Sequence, residues 1–140
     1  MITKESIIRA LREKGLKVTP QRLAISDVLV EREEAHPGAS LIWREAKKRV
    51  KTLSLSTVYA TLNELAKHGV IKLLQFDGME SRYECNPDKH VNLVCDRCKG
   101  IIDYAAPIAI EPQDVAKKTG FEMTGMRLEC YGLCERCRKK

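Results

Sequence analysis

The stretch LSLSTVYATLNELAKHGVI, Leu53 to Ile71, decides how the first half of this 140-residue chain is read. Val58, Leu62, Leu65 and Ala66 recur at i, i+4, i+7 and i+8 and predict one apolar helical face. Ser54 or Ser56 is placed to cap the helix and Gly69 to end it, while Thr57, Tyr59, Ala60, Thr61 and Asn63 fall on the other sides. Hydroxyls and a tyrosine near the start of such a helix, in a basic chain, fit the recognition helix of a helix-turn-helix. VIKLLQF and SRYEC then flank DGME and predict a β-hairpin, which makes the motif winged.

Three helices are predicted ahead of it. Thr3 caps the first, with Ile7, Ile8 and Leu11 as its apolar stripe and Gly15 at its end. In LKVTPQRLAISDVLV, Thr19 caps, Pro20 takes the first helical position, where its missing N–H costs nothing, and Ala24, Ile25, Val28 and Leu29 face inward. In HPGASLIWREAKKRV, Ser40 is the expected cap and Ile42, Ala46 and Val50 the buried face, with Lys47, Lys48 and Arg49 read as a solvated one. Tyr59, Thr57 and Thr61 are the expected base-reading group, with Arg22 and Lys14 or Lys17 on phosphates. A small helical bundle with a polar face gives a similar pattern, and on that reading Tyr59 is a surface aromatic.

The net charge is +6. Residues 1–84 hold 15 Lys/Arg against 11 Asp/Glu, and residues 85–140 hold 10 against 8. Four thiolates on one divalent ion would bring the second half to zero, leaving the positive excess in the first, where it suits a polyanion. The N-terminus has no signal-peptide core, and the longest uncharged run, 52–63, is too short to span a bilayer. A soluble, cytoplasmic protein with no membrane partner is expected. Its cysteines are then reduced and speak of metal or redox chemistry, not structural disulfides.

The second half predicts short strands in VNLVC, GIIDYA and RLECYGLC, with a helix from about Pro112 to Gly120. An α/β module this small leaves sheet edges exposed, and pairing them across a two-fold axis predicts a homodimer. Cys95-x-x-Cys98 and Cys134-x-x-Cys137 offer four soft ligands, the usual set for structural Zn²⁺, clasping the first and last strands. Arg97, Lys99, Arg136 and Arg138 would offset the excess negative charge. Four protein ligands leave no open position, so no catalysis is expected and the chain is not read as an enzyme. A thiol oxidoreductase would need its C-x-x-C after a strand in a βαβ unit; a zinc-knuckle adaptor for protein or RNA is the other alternative.

The order VTPQR, AHP, STVYATLNEL, a wing, H-x-x-x-x-C-x-x-C and a terminal C-x-x-C resembles the ferric uptake regulator family of metal-dependent repressors, from about Leu11 to Cys137. The resemblance implies an α+β fold, with a winged helix-turn-helix DNA-binding domain over 1–84 and a small α/β dimerisation domain with a Cys₄ zinc site over 85–140. It implies a double-stranded operator as partner. It also implies a second, regulatory metal between the domains, held by His36, Glu84, His90, Asp103 and the residue at 92, a set that suits Fe²⁺ or Mn²⁺. Asp103 is similar to the peroxide-sensing branch. Two positions depart from the family pattern, Asn92 for its second histidine and Ala60 for the basic residue after TVY. Cys85 falls where zinc-sensing members place a thiolate, so a softer, zinc-responsive site with His90 is the alternative. Otherwise Cys85 and Cys130 are ordinary apolar strand residues, and His68 is a helix C-terminal cation site.

Overall fold

The computed structural model describes residues 2–85 and 89–140 and divides into two compact units, Met1–Pro87 and Asp88–Lys140. The division falls beyond the expected Glu84, so Cys85 packs with the first unit.

In the first unit α1 (Lys4–Glu13), α2 (Pro20–Glu31), α3 (Ala39–Lys47) and α4 (Leu55–Lys67) precede a two-stranded wing, β1 (Lys72–Leu74) and β2 (Arg82–Glu84). The caps follow the sequence at three starts: Thr3 accepts from the Ser6 amide, Thr19 from Arg22 and Ser54 from Thr57. At α3 the expectation fails. Gly38 is the N-cap, Ser40 lies inside the first turn, and its amide and hydroxyl donate to the Glu80 carboxylate at 2.9 and 2.8 Å. A side chain forty residues away replaces the local cap, and no short-range pattern encodes that.

The core is formed by Ile7, Leu11, Ile25, Leu29, Ile42, Leu62 and Leu65, all essentially inaccessible. Each such side chain stabilises by about 1.5–3 kcal/mol on burial. Val50 and Ala66 are half-buried at its rim. Thr61, expected on an outer face, is buried at 7% exposure. The Lys47–Arg49 run is engaged: Lys47 lies over the Trp43 ring, and Arg49 bridges Asp27 and Glu31 of α2 at 2.9 and 2.6 Å. β1 and β2 pair antiparallel as predicted, Leu73 opposite Tyr83, but residues 75–81 form a longer connection than DGME suggests. A bridge from Gly38 to Arg82 adds a third edge to the wing.

In the second unit β3 (Val91–Cys95) is central, antiparallel to β4 (Ile101–Tyr104) and parallel to β5 (Glu129–Gly132), with α5 (Pro112–Thr119) in the crossover and α6 (Glu135–Arg138) last. Pro112 opens α5 and Gly120, in the left-handed region, closes it. Among its described residues only Asn92, Val94, Cys95, Ile101 and Cys137 are buried, α5 buries none, and Ile102, Tyr104, Phe121 and Tyr131 are exposed. Cys130 lies on strand β5, as expected, and is exposed there. No helix is long and apolar enough to cross a membrane.

Because Leu62 is wholly enclosed, Leu62→Ala should destabilise the first unit by about 2–5 kcal/mol, read from urea unfolding of wild type and variant. A loss below about 1 kcal/mol would contradict this account of the core.

Candidate metal sites and nucleic-acid interface

Cys95 ends β3 opposite Gly132 of β5, and two residues later the chain reaches Cys134. Parallel neighbours therefore deliver both C-x-x-C pairs to the same end of the sheet, although they lie far apart in sequence. The four Sγ atoms lie within 4.8 Å of one another, with Cys98 and Cys134 at 3.8 Å. Sulfurs held about 2.3 Å from a tetrahedral zinc stand about 3.8 Å apart, so the residues fit the ion.

The electrostatics also suit a metal. Amide N–H groups of Cys134 and Cys98 lower the Cys95 thiol to about 6, and the Gly100 amide, 3.4 Å from Sγ, lowers Cys98. Burial drives Cys137 the other way, up to about 11. Arg136 lies against the Cys98 sulfur, which raises its own pKa, and Arg97 donates to the Cys137 carbonyl at 2.9 Å. Arg97 thus closes the knuckle by a backbone bond, a role its charge alone did not announce.

In the first unit His36 adopts φ +48°, is 1% exposed, and sits with Nε2 3.5 Å from Glu84 Oε1 while Nδ1 meets the Glu34 carbonyl at 3.1 Å. A carbonyl on Nδ1 fixes the tautomer in which Nε2, the nitrogen facing Glu84, carries the lone pair. Cys85, next along, is buried in the apolar core, and burial, then Glu33 and Glu84, pushes its thiol up to about 12. In the second unit His90 Nε2 is 3.1 Å from Asn92 Oδ1 and 3.3 Å from Asp103 Oδ1. Asn92 is buried and in register with Asp103 on one side and Glu129 on the other. Glu129, not anticipated from sequence, is paired with Arg127 and accepts from the Tyr131 hydroxyl. Two-residue alternation along β5 places Glu129 and Tyr131 on one face. Both His pairs therefore carry a nitrogen beside carboxylate oxygen, the donor chemistry of a borderline or hard ion.

On α4, Tyr59 is 42% exposed and Ala60 is exposed beside it. Lys17, Arg22, Thr57 and Thr61 line one open cleft, with Arg22 Nη1 donating to the Lys17 carbonyl at 2.6 Å. Thr61, although 7% exposed, is among the residues that line this cleft. His68 is the C-cap residue of α4, and its Nε2 lies 3.2 Å from the Glu64 carboxylate.

Zinc must displace the proton held by Cys137 and finds Cys95 already ionised at neutral pH. Adding zinc to the metal-free protein at pH 7 should release protons in a lightly buffered solution. Zinc affinity should fall as pH drops through about 6, where Cys95 takes up its proton. Proton-neutral, pH-independent uptake would show that the ion sits elsewhere.

The ferric uptake regulator family model matches residues 13–131. The peroxide operon regulator of Bacillus subtilis (strain 168) is 34% identical over 134 residues, 95% of this chain and 92% of its own. Among solved structures, the ferric uptake regulator of Helicobacter pylori, described as having three functional metal binding sites, gives a TM-score of 0.80 at 28% identity, covering 99% of this chain and 96% of that one. The ferric uptake regulator of Vibrio cholerae, described as showing rearrangement of its DNA-binding domains, gives 0.73 at 31% identity over 90% and 98%. Matched nearly end to end in both sequence and fold, the chain belongs to the ferric uptake regulator family.

Proposed function

We propose that the protein is a homodimeric repressor that binds a palindromic operator when a regulatory ion joins a dimer held by structural zinc. The observation that carries this reading is the burial of His36 against Glu84, each no more than 3% exposed, on a basic helix-turn-helix unit. An inaccessible imidazole and carboxylate are costly to hold without a use, and an ion of double positive charge supplies one. We assign His36, Glu84, His90 and Asp103 to that ion, with Asn92 adding an amide oxygen. Mixed nitrogen and oxygen donors favour Fe²⁺ or Mn²⁺ over zinc. The ion selects one arrangement of the two units from those the free chain samples, and with it the spacing of the recognition helices.

Cys85 fits the zinc-responsive alternative less well, because its thiol is pushed up to about 12 and packs in the core of the first unit. Dimerisation through the second unit is supported by its small core, its exposed Ile102, Tyr104 and Tyr131, and the open edges of β4 and β5. For DNA, Tyr59 is the exposed reader of bases, while Lys14, Lys17, Arg22, Thr57 and Thr61 serve phosphates. Peroxide response follows if the ion is iron. Bound Fe²⁺ would supply the reducing equivalent for peroxide, and the His36 and His90 imidazoles would be the ligands open to oxidation.

Fluorescence anisotropy on a palindromic duplex, with half-sites about 34 Å apart or a multiple of that, should show binding that Mn²⁺ or Fe²⁺ strengthens. His36→Ala and Asp103→Ala should abolish the activation and Cys85→Ser should not; the reverse pattern would move the site to the thiolate. Tyr59→Ala should reduce discrimination between operator and scrambled duplex, while Lys17→Ala should lower the salt slope by about one. Salt-insensitive binding, or preference for single-stranded RNA, would favour the adaptor reading.

Asn92→His, which supplies a second imidazole, should tighten Mn²⁺ binding by about tenfold or more, equivalent to about 1.4 kcal/mol. After peroxide treatment, the iron-loaded protein should carry an added oxygen atom on His36 or His90, located by peptide mass spectrometry, and the manganese-loaded protein should not. Unmodified histidines with operator binding intact would remove peroxide from the signal.

A further inference from the structure

We propose that Glu80, in the connection between β1 and β2, is the positioning residue that ties the state of the His36–Glu84 pair to the wing and to α3. This rests on the reading above, in which those two residues take the regulatory ion.

Three links join the turn that carries His36 to the strand that carries Glu84. Arg82 Nη1 donates to the His36 carbonyl at 3.1 Å, the Tyr83 amide donates to the Pro37 carbonyl at 3.0 Å, and Gly38 bridges Arg82. The imidazole and the carboxylate therefore sit on two backbone segments that move together. Glu80 extends that connection one step further. Its Oε1 accepts both the amide and the hydroxyl of Ser40, which are first-turn groups of α3, a helix whose N-cap, Gly38, has no side chain to offer. A first-turn amide is one of the orphan donors of a helix, and a carboxylate there is favoured by the helix dipole as well.

Gly38 is the complement of this contact. Its φ is −89°, so no unusual backbone requires glycine, yet a Cβ at this position would come within 2.8 Å of Glu80 Cδ and 2.9 Å of Oε2. The missing side chain makes room for the carboxylate. His36, Pro37, Gly38 and Ser40 thus form one continuous strip, with the metal-ligand pair at one end and the Glu80 contact at the other. Drawing His36 towards Glu84 shifts Gly38 and Ser40 with it, and Glu80 obliges the wing to follow instead of swinging free of α3. Since α3 and α4 are the helix-turn-helix pair, wing and recognition helix then present one surface.

The test is thermodynamic coupling, measured as the ratio of duplex affinities with and without Mn²⁺ in the zinc-loaded protein. In Glu80→Ala that ratio should fall about tenfold, while affinity without manganese changes less than about twofold. Glu80→Gln keeps an oxygen for both Ser40 donors and should stay within about twofold of wild type. Gly38→Ala should lower the ratio in the same direction, and combining it with Glu80→Ala should cost nothing more, since both remove one contact. Independently of manganese and DNA, hydrogen exchange at the Ser40 amide should accelerate in Glu80→Ala and not in Glu80→Gln. Equal losses of affinity with and without manganese would make Glu80 merely structural and overturn the proposal, as would additive effects of the Gly38 and Glu80 changes. A wild-type protein indifferent to manganese would overturn the functional reading itself; a wild-type ratio kept in Glu80→Ala would overturn only the role of Glu80.

Discussion

Four sulfur atoms at one end of a three-stranded sheet carry the second unit. Few of its side chains are buried and α5 contributes none of them, so apolar burial cannot hold 53 residues in one conformation. What the unit has is a parallel pairing of β3 with β5 that brings Cys95 and Cys134 together across the whole intervening chain. Parallel strands demand a long crossover, and α5 lies in it. The metal-ligand bonds and the topology are therefore one constraint. Without the crossover the thiols would not meet, and without the ion the crossover would close a long loop for little return in buried area. The amides aimed at Cys95 and Cys98 prepare the sulfurs for a cation before any arrives.

The first unit is built on the opposite principle. Its helices bury a contiguous apolar core, and short capping contacts close the starts of α1, α2 and α4. A pre-formed, self-sufficient unit can hold a strained residue. His36 occupies the left-handed region, unfavourable for a side chain with a Cβ, and stays there because its carbonyl, its neighbour's carbonyl and its ring nitrogens are each engaged. Strain kept in place by surrounding bonds is characteristic of residues whose orientation matters more than their contribution to stability.

What was legible in the sequence was local or periodic. The caps at Thr3, Thr19 and Ser54 depend on residues three positions away, and the apolar faces of α2 and α4 repeat at helical spacing, so both could be read without knowing the fold. The thiol pairs were legible because soft ligands at fixed spacing have few other uses in a reducing compartment. Ser40 was misread because its partner, Glu80, is forty residues distant and reached only after the wing folds back. Thr61 was misplaced because helical periodicity gives the angle of a side chain but not what covers it, and the segment from Gly15 to Arg22 that lines the cleft beside it is non-periodic. Glu129 was overlooked for a related reason: its meaning lies in the register that sets it level with Asn92, and register between parallel strands is a product of the crossover.

Asn92 is the position at which β3 departs from the family pattern. Where the family pattern has an imidazole, this chain has an amide on the central strand β3, level with a carboxylate on each neighbouring strand. An amide oxygen is a weaker donor than imidazole nitrogen, but it carries no proton to lose and does not titrate. In the proposed regulatory site an amide in place of an imidazole would exchange affinity for hardness, shifting preference from ions that seek nitrogen and sulfur towards those that seek oxygen. The buried Cys85 thiol, pushed up to about 12 chiefly by burial, would be a poor soft ligand for that ion. Selectivity in the proposed site would then come as much from donors denied as from donors offered, because raw affinity alone would rank zinc above iron and manganese at almost any nitrogen-rich site.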